Sequence, residues 1–197
     1  MLKQKLKNRH IILASGSPRR QDFFRNLDLD FEIRLKDTEE VYPPELKHSE
    51  ISDYLAELKS IPFIKELKDE DILVTSDTIV WHKDLILGKP KDNTDAFSIL
   101  KSLSNSTHDV ITSICIRTKT LKKIVNAVTQ VTFKAFTDEE LWYYINTYSP
   151  LDKAGAYGIQ EWIGQVGVTN IEGSYFNVMG LPTHLLYETL NTITEEY

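Results

Sequence analysis

Residues 11–20 hold the sequence feature that most constrains the fold: an apolar run, then a tight turn, then a helix start. Ile11 to Ala14 predict a buried strand, which the small residues at 15–17 bring to an end. Pro18 suits the first helical position, because its φ angle is already fixed near the helical value and a missing N–H costs nothing there. The segment therefore predicts a strand–turn–helix unit.

The same segment has the composition of a phosphate-binding turn. Ser15 and Ser17 supply hydroxyl groups, and the turn exposes backbone N–H groups next to the positive end of a helix dipole. Arg19 and Arg20 add two guanidinium groups, which bind phosphate oxygens in pairs. Small-residue turns before helices are common, however, and two adjacent arginines also fit a solvated surface pair. Both interpretations stay open at this point.

Composition limits the partners of the chain. Its 197 residues are 41% hydrophobic and 26% charged, the balance of an ordinary soluble globule. The net charge of −6 argues against broad nucleic-acid binding, so an anionic ligand needs a local cationic cluster or a metal. No stretch approaches the roughly 20 apolar residues of a membrane helix, and Ile11 to Ala14 are too short for a signal peptide. We therefore expect a cytoplasmic protein with no membrane partner, in which Cys115 is a core thiol.

Periodicity predicts further strands and helices along the chain. Strand-like stretches occur at residues 31–35, 72–81, 110–118 and 124–136, and residues 85–90 predict a strand that runs into a turn. Apolar residues at helical spacing occur at residues 23–27, 51–58, 96–103, 141–148 and 186–193. Residues 37–50 and the glycine-rich run 154–160 predict loops. The strands at 110–118 and 124–136 are separated by a short turn, which favours an antiparallel pair within an α/β fold.

Two charged residues lie in or beside predicted apolar elements, where an unpaired charge is destabilising. Lys59 lies at the edge of the apolar stripe of a predicted helix, so its stem can cover the core while its ammonium reaches a cleft. Pro62 is expected to bend or end that helix. Asp77 sits in the middle of the apolar run 72–81, and a buried carboxylate needs an arginine, a backbone cap or a metal as partner. An ion-paired structural aspartate is the alternative.

The other polar candidates are weaker by themselves. Lys89 stands between a glycine and a proline, as many surface turn lysines do, and Glu39 with Glu40 fits a solvated acidic loop. The five histidines have no ligand spacing. No Walker loop, dinucleotide fingerprint or nucleophile elbow occurs in the chain.

Six blocks of sequence, taken in order, resemble the Maf family. They are Ala14–Arg20, Leu55–Lys59, Ser76–Thr78, Gly88–Pro90, Ala154–Gln160 and Gly173–Pro182. Their span, from Ile11 to about Leu190, implies one Maf domain over residues 1–197. The resemblance implies a mixed, twisted β-sheet flanked by helices, two-lobed with a central nucleotide-binding cleft. It also implies nucleoside triphosphate pyrophosphatase activity, a divalent cation, Mg²⁺ or Mn²⁺, and allows a homodimer.

The resemblance also implies a branch of the family. Thr78 after the aspartate, and the run that ends at Gln160, are similar to the branch that acts on dTTP and UTP. In that branch the positions of Arg19, Thr78 and Gln160 are tied to substrate choice, and the position of Asp77 is the catalytic proton acceptor. A glutamine amide both donates and accepts hydrogen bonds, which suits the imide edge of uracil or thymine.

From this we expect water to attack the α-phosphorus with metal assistance. Asp77 and Glu40 are the predicted metal ligands. The predicted phosphate-binding residues are Ser15, Ser17, Arg20, Lys59 and Lys89, with Arg19 also neutralising the triphosphate. Alternatives are a pyrophosphatase for 7-methyl-GTP or other modified nucleotides, and a nucleotide-binding regulator of septum formation.

The chain departs from the common family pattern at three positions. Ser76 and Ser60 stand where the family commonly has alanine, and both are small enough for the packing to survive. Pro62 follows Lys59 unusually closely, which could change the angle at which the helix presents its lysine.

Overall fold

The computed structural model describes residues 1–195, in which helices and strands alternate along much of the chain. The strands are β1 (His10–Leu13), β2 (Phe31–Ile33), β3 (Asp71–His82), β4 (Leu85–Leu87), β5 (Thr107–Arg117), β6 (Lys122–Phe133) and β7 (Val168–Glu172). The α-helices are α1 (Leu2–Lys5), α2 (Pro18–Asn26), α3 (Ser49–Ser60), α4 (Asn93–Leu103), α5 (Asp138–Tyr148), α6 (Trp162–Gly167), α7 (Tyr175–Val178) and α8 (Thr183–Glu195). Short 3₁₀ helices cover Ile61–Glu66, Pro150–Asp152 and Ala154–Ala156.

Within residues 1–195, seven strands form one mixed sheet in the order β2-β1-β3-β5-β6-β7, with β4 paired to β3. β1 is parallel to both β2 and β3, whereas β4 is antiparallel to β3 and β7 is antiparallel to β6. The Phe133 N–H donates to the Ser106 carbonyl at one end of the β5–β6 pair, and Thr118 donates to Leu121 at the other. The predicted antiparallel hairpin and mixed sheet are confirmed.

The first of two compact units contains residues Met1–Asp77, Thr112–Ala127 and the chain from Gly180 onward. β1, β2 and β3 supply its parallel strands, and α1 contacts α8. α3 ends at Ser60 and continues as the 3₁₀ helix Ile61–Glu66, so Pro62 ends the helix as predicted. A buried apolar cluster lies beneath this segment: Ile12, Phe63, Leu67 and Leu73.

The second unit contains residues Thr78–Ile111 and Val128–Met179. Its core is rich in aromatic rings, since Phe133 packs edge-on against both Phe136 and Tyr157. α5 begins with a capping box, in which the Thr137 hydroxyl accepts from Glu140 N–H and the Glu140 carboxylate accepts from Thr137 N–H. This cap holds the start of a helix that packs into the core.

Some element boundaries differ from the predictions. Residues 49 and 50 were expected in a loop, but Ser49 and Glu50 begin α3, because the Glu50 carboxylate accepts from Lys47 N–H and supports the first turn. Cys115 is buried as expected, and burial raises the pKa of its thiol. None of the helices within residues 1–195 is both long and apolar enough to cross a membrane.

Candidate active site

Asp77 is buried in β3 and forms an ion pair with Lys59. The Lys59 Nζ lies 2.6 Å from Asp77 Oδ1, and the side chain of Asp77 is 9% exposed. α3 presents the lysine from its last turn, so the unusual Pro62 two residues beyond the helix leaves that contact in place. Both candidates are therefore in one cluster, where the lysine is the partner that a buried carboxylate needs.

Glu40 joins the same cluster from the loop before α3. Its Oε1 lies 3.0 Å from Lys59 Nζ, so a single ammonium bridges the two carboxylates. Carboxylate oxygens are the ligands that Mg²⁺ and Mn²⁺ prefer, so Glu40 and Asp77 suit such an ion chemically. Among residues 1–195, no group of three or more potential side-chain ligands comes together. A cation bound here would need further oxygen ligands from another bound molecule.

The turn at residues 15–17 leads from β1 into α2, which confirms the predicted strand–turn–helix unit. Ser17 is the N-cap and its side chain makes no cap hydrogen bond, while Pro18 occupies the first turn. The Ser15 Oγ accepts from Ser17 N–H at 3.3 Å, and Gln21 Nε2 donates to the Ser15 carbonyl at 3.3 Å. These bonds fix the turn at the N-terminus of α2, where the helix dipole is positive.

Arg20 donates hydrogen bonds to backbone carbonyl groups of two separate segments of the chain. Its Nε donates to the Gly180 carbonyl at 2.8 Å, and its Nη1 donates to the Ser76 carbonyl at 3.1 Å. Burial lowers the pKa of Arg20 despite the opposing effect of Asp77, and the positive charge of Arg19 lowers it further. Arg20 thus binds the backbone of the residue before Asp77, and the sequence did not predict this role. Its predicted phosphate contact stays a prediction.

Ser60 and Ser76, the two departures from the family pattern, differ in outcome. The Ser60 Oγ donates to the Glu57 carbonyl at 2.6 Å and accepts from Arg117 Nε at 3.1 Å, which supports the last turn of α3. Ser76 is 2% exposed, and its hydroxyl is buried with no hydrogen-bond partner among the described residues. The packing survives at both positions, but only Ser60 gains a bonding role.

In the second unit, two residues predicted to select the substrate and one predicted to bind phosphate lie on a strand and two loops. Thr78 is half-buried in β3, Gln160 is half-buried in the loop before α6, and Lys89 is exposed after β4. The Gly155 N–H donates to the Gly88 carbonyl at 3.1 Å. This bond connects the loop that carries Lys89 to the loop that carries Gln160.

Sequence reasoning missed a polar cluster around the loop at 153–161. The Tyr144 hydroxyl accepts from Gly158 N–H at 3.0 Å and donates to the Glu161 carboxylate. The Lys153 ammonium lies 3.3 Å from Glu161 Oε1. The helical spacing of Tyr144 indicated a core residue, which is correct, but only its hydroxyl group hinted at a polar partner.

A helix N-terminus without a side-chain cap, as at α2, is a common binding site for phosphate and other anions. In fold, the chain is similar to the structure of the Staphylococcus aureus Ham1 protein, with a TM-score of 0.54 at 17% identity. That match covers 94% of this chain and 100% of the other.

The family model described as Maf-like protein matches residues 10–193, so the chain belongs to the Maf family. A Flavobacterium johnsoniae protein named dTTP/UTP pyrophosphatase is 64% identical over 193 residues, which are 98% of this chain and 100% of that protein. A protein of the same name from Flavobacterium psychrophilum is 59% identical, covering 95% of this chain and 96% of its own length. The family resemblance found in the sequence is confirmed.

Proposed function

We propose that this protein hydrolyses dTTP and UTP to the nucleoside monophosphate and pyrophosphate. The observation that carries the proposal is the identity of 64% to a protein named dTTP/UTP pyrophosphatase, over the full length of that protein. The ion-paired cluster of Asp77, Lys59 and Glu40 supplies the groups such a reaction needs. Water attacks the α-phosphorus, the bond to the bridging oxygen breaks, and pyrophosphate leaves.

Asp77 is the proposed proton acceptor. Its carboxylate is buried, fixed by the strand and held at one oxygen by Lys59, so the other oxygen has a defined direction. When the triphosphate arrives, Lys59 is placed to share its charge between the carboxylates and a phosphate oxygen. Ser15, Ser17 and the N–H groups of the α2 N-terminus are proposed to bind further phosphate oxygens.

A divalent cation is part of the proposal, with Glu40 and Asp77 as its protein ligands. Their two carboxylates contact one ammonium, so they are close enough to share one cation. When bound, Mg²⁺ or Mn²⁺ neutralises phosphate charge and makes hydroxide accessible near neutral pH. Because the protein offers two carboxylates, we expect the cation to bind together with the nucleotide, whose phosphate oxygens would supply further ligands.

The proposal is tested by pyrophosphate release from dTTP, UTP, CTP, GTP, ATP and 7-methyl-GTP, with Mg²⁺, Mn²⁺ or EDTA. We expect metal-dependent turnover that is fastest with dTTP and UTP. Preference for 7-methyl-GTP would overturn the substrate assignment and leave the enzyme class. Stoichiometric nucleotide binding without pyrophosphate release would favour a nucleotide-binding regulator.

Gln160 is proposed to recognise the pyrimidine base by hydrogen bonding to its edge. In Gln160→Ala we expect the ratio of kcat/KM for dTTP to that for CTP or GTP to fall about 10-fold to 100-fold, because a hydrogen-bonded base edge loses its partner. The kcat for dTTP should fall much less than this ratio. Steady-state kinetics on the three nucleotides measure both quantities, and unchanged ratios would remove Gln160 from base recognition.

Arg19, Thr78 and Lys89 complete the proposal. Arg19 and Thr78 are assigned to substrate choice and Lys89 to the phosphates, on the strength of the sequence blocks that carry them. A single domain over residues 1–197 is supported by the family match to residues 10–193. The homodimer and the cytoplasmic location stay predictions.

A further inference from the structure

The loop that carries Gln160 is hydrogen-bonded to the hydroxyl group of a buried tyrosine. Tyr144, on α5, is fully buried. Its hydroxyl accepts a hydrogen bond from Gly158 N–H at 3.0 Å and donates one to Glu161 Oε2. One side chain therefore binds the residue two positions before Gln160 and the residue directly after it.

Glu161 makes a second set of contacts that hold the loop in place. Besides accepting from Tyr144, its carboxylate lies 3.3 Å from the Lys153 ammonium, and the Glu161 and Lys153 side chains are 18% and 10% exposed. Lys153 begins the loop and Glu161 ends it. The ion pair thus joins the two ends of the segment, and its low exposure gives it more weight than a surface pair has.

The backbone of the loop is closely packed at two glycines. Gly155 adopts a left-handed φ of 69°, and a Cβ at that position would lie 2.8 Å from Val80 Cγ2. A Cβ on Gly158 would lie 2.7 Å from Glu161 Cδ. Gly155 is therefore packed against β3, and Gly158 is packed against the Glu161 carboxylate.

We propose that Tyr144 and Glu161 are positioning residues for base recognition, which hold the backbone on both sides of Gln160. The inference rests on the proposed function, in which Gln160 reads the base. Selection by an amide demands that its donor and acceptor stay within about 0.5 Å of the positions at which they hydrogen-bond to the base edge. Burial also raises the pKa of Tyr144, so the phenol keeps its proton and donates throughout the working range.

Tyr144→Phe removes the hydroxyl and keeps the ring. We expect kcat for dTTP to change less than about twofold, while the preference for dTTP over CTP falls about tenfold through KM, since two hydrogen bonds to the loop are lost. Hydrogen exchange of the Gly158 amide should become at least tenfold faster by the same reasoning. Tyr143→Phe, at an exposed position on the same helix, is the matched control and should leave both quantities unchanged.

Two changes at Glu161 separate positioning from simple stability. Glu161→Gln keeps an acceptor for the Tyr144 hydroxyl and is expected to retain most of the dTTP preference. Glu161→Ala removes the acceptor and should lose the preference as Tyr144→Phe does. Glu161 is partly exposed, so its variants keep the test available should Tyr144→Phe fail to fold.

The outcomes are distinguishable. A wild-type preference in Tyr144→Phe and Glu161→Ala, with faster exchange at Gly158, would overturn the positioning role and leave the proposed function intact. A loss of thermal stability with kcat reduced equally for all nucleotides would make the residues merely structural. A wild-type enzyme without pyrimidine preference would overturn the proposed function, and the inference with it.

Discussion

Asp77→Asn is expected to reduce kcat for dTTP and UTP by about 10³-fold or more, because it removes the proposed proton acceptor and a carboxylate ligand at once. The amide has the shape of the carboxylate and can still contact Lys59, which keeps Glu40 as its anionic partner. The fold should therefore survive. Single-turnover pyrophosphate release measures the rate, and circular dichroism with thermal unfolding checks the structure.

Asp71→Asn is the matched control for this substitution. Asp71 begins the same strand, is also buried, and accepts from Lys68 N–H at 2.9 Å, but it lies outside the Lys59 cluster. Its loss should lower stability and leave turnover per folded molecule unchanged. Wild-type rates in a well-folded Asp77→Asn protein would remove the assigned role from Asp77.

Acid is expected to destabilise the protein through His108. This residue is 2% exposed, its Nε2 lies 2.8 Å from the Tyr157 hydroxyl, and burial, with the charge of His82 adding to it, lowers its pKa to about 3. In the unfolded chain the group titrates near pH 6.5. Between those values the unfolded state binds more protons, so the free energy of unfolding falls as the pH falls, by up to about 1.4 kcal/mol per pH unit.

Urea unfolding of wild type and His108→Gln at pH 7, 6, 5 and 4.5 measures this contribution. The variant starts less stable, because its packing near Phe133 and Tyr157 changes, but its stability should decline less steeply with acid. The carboxyl groups titrate in both proteins and cancel in the comparison. Parallel declines in the two proteins would mean that His108 is already able to accept a proton in the folded state.

Periodicity was enough to predict the main elements of the fold. The apolar spacing around Tyr144 and the β-branched run around Asp77 each produced an element at the predicted place, since both patterns record which side of the chain is buried. The ends of elements were less accurate. Ser49 and Glu50 read as loop because they are polar, yet the Glu50 carboxylate supports the first turn of α3.

The sequence singled out Asp77, Lys59 and Glu40 as candidates, but it did not predict the ion pairs between them. Asp77 stood out because a charge within an apolar strand needs a partner, but spacing along the chain did not identify Lys59 as that partner. Arg20 shows the reverse case. Its guanidinium binds the carbonyl groups of Ser76 and Gly180, and backbone acceptors of this kind are invisible in a pattern of side chains.

The discontinuous first unit has a consequence for protein synthesis. The Gly180 carbonyl that Arg20 binds, and the helix α8 that contacts α1, follow every residue of the second unit along the chain. A ribosome therefore releases all of the second unit before the last segment of the first. Chains usually fold from their beginning. Here Arg20, which also binds the Ser76 carbonyl next to Asp77, gains its second backbone partner only after Gly180 has emerged.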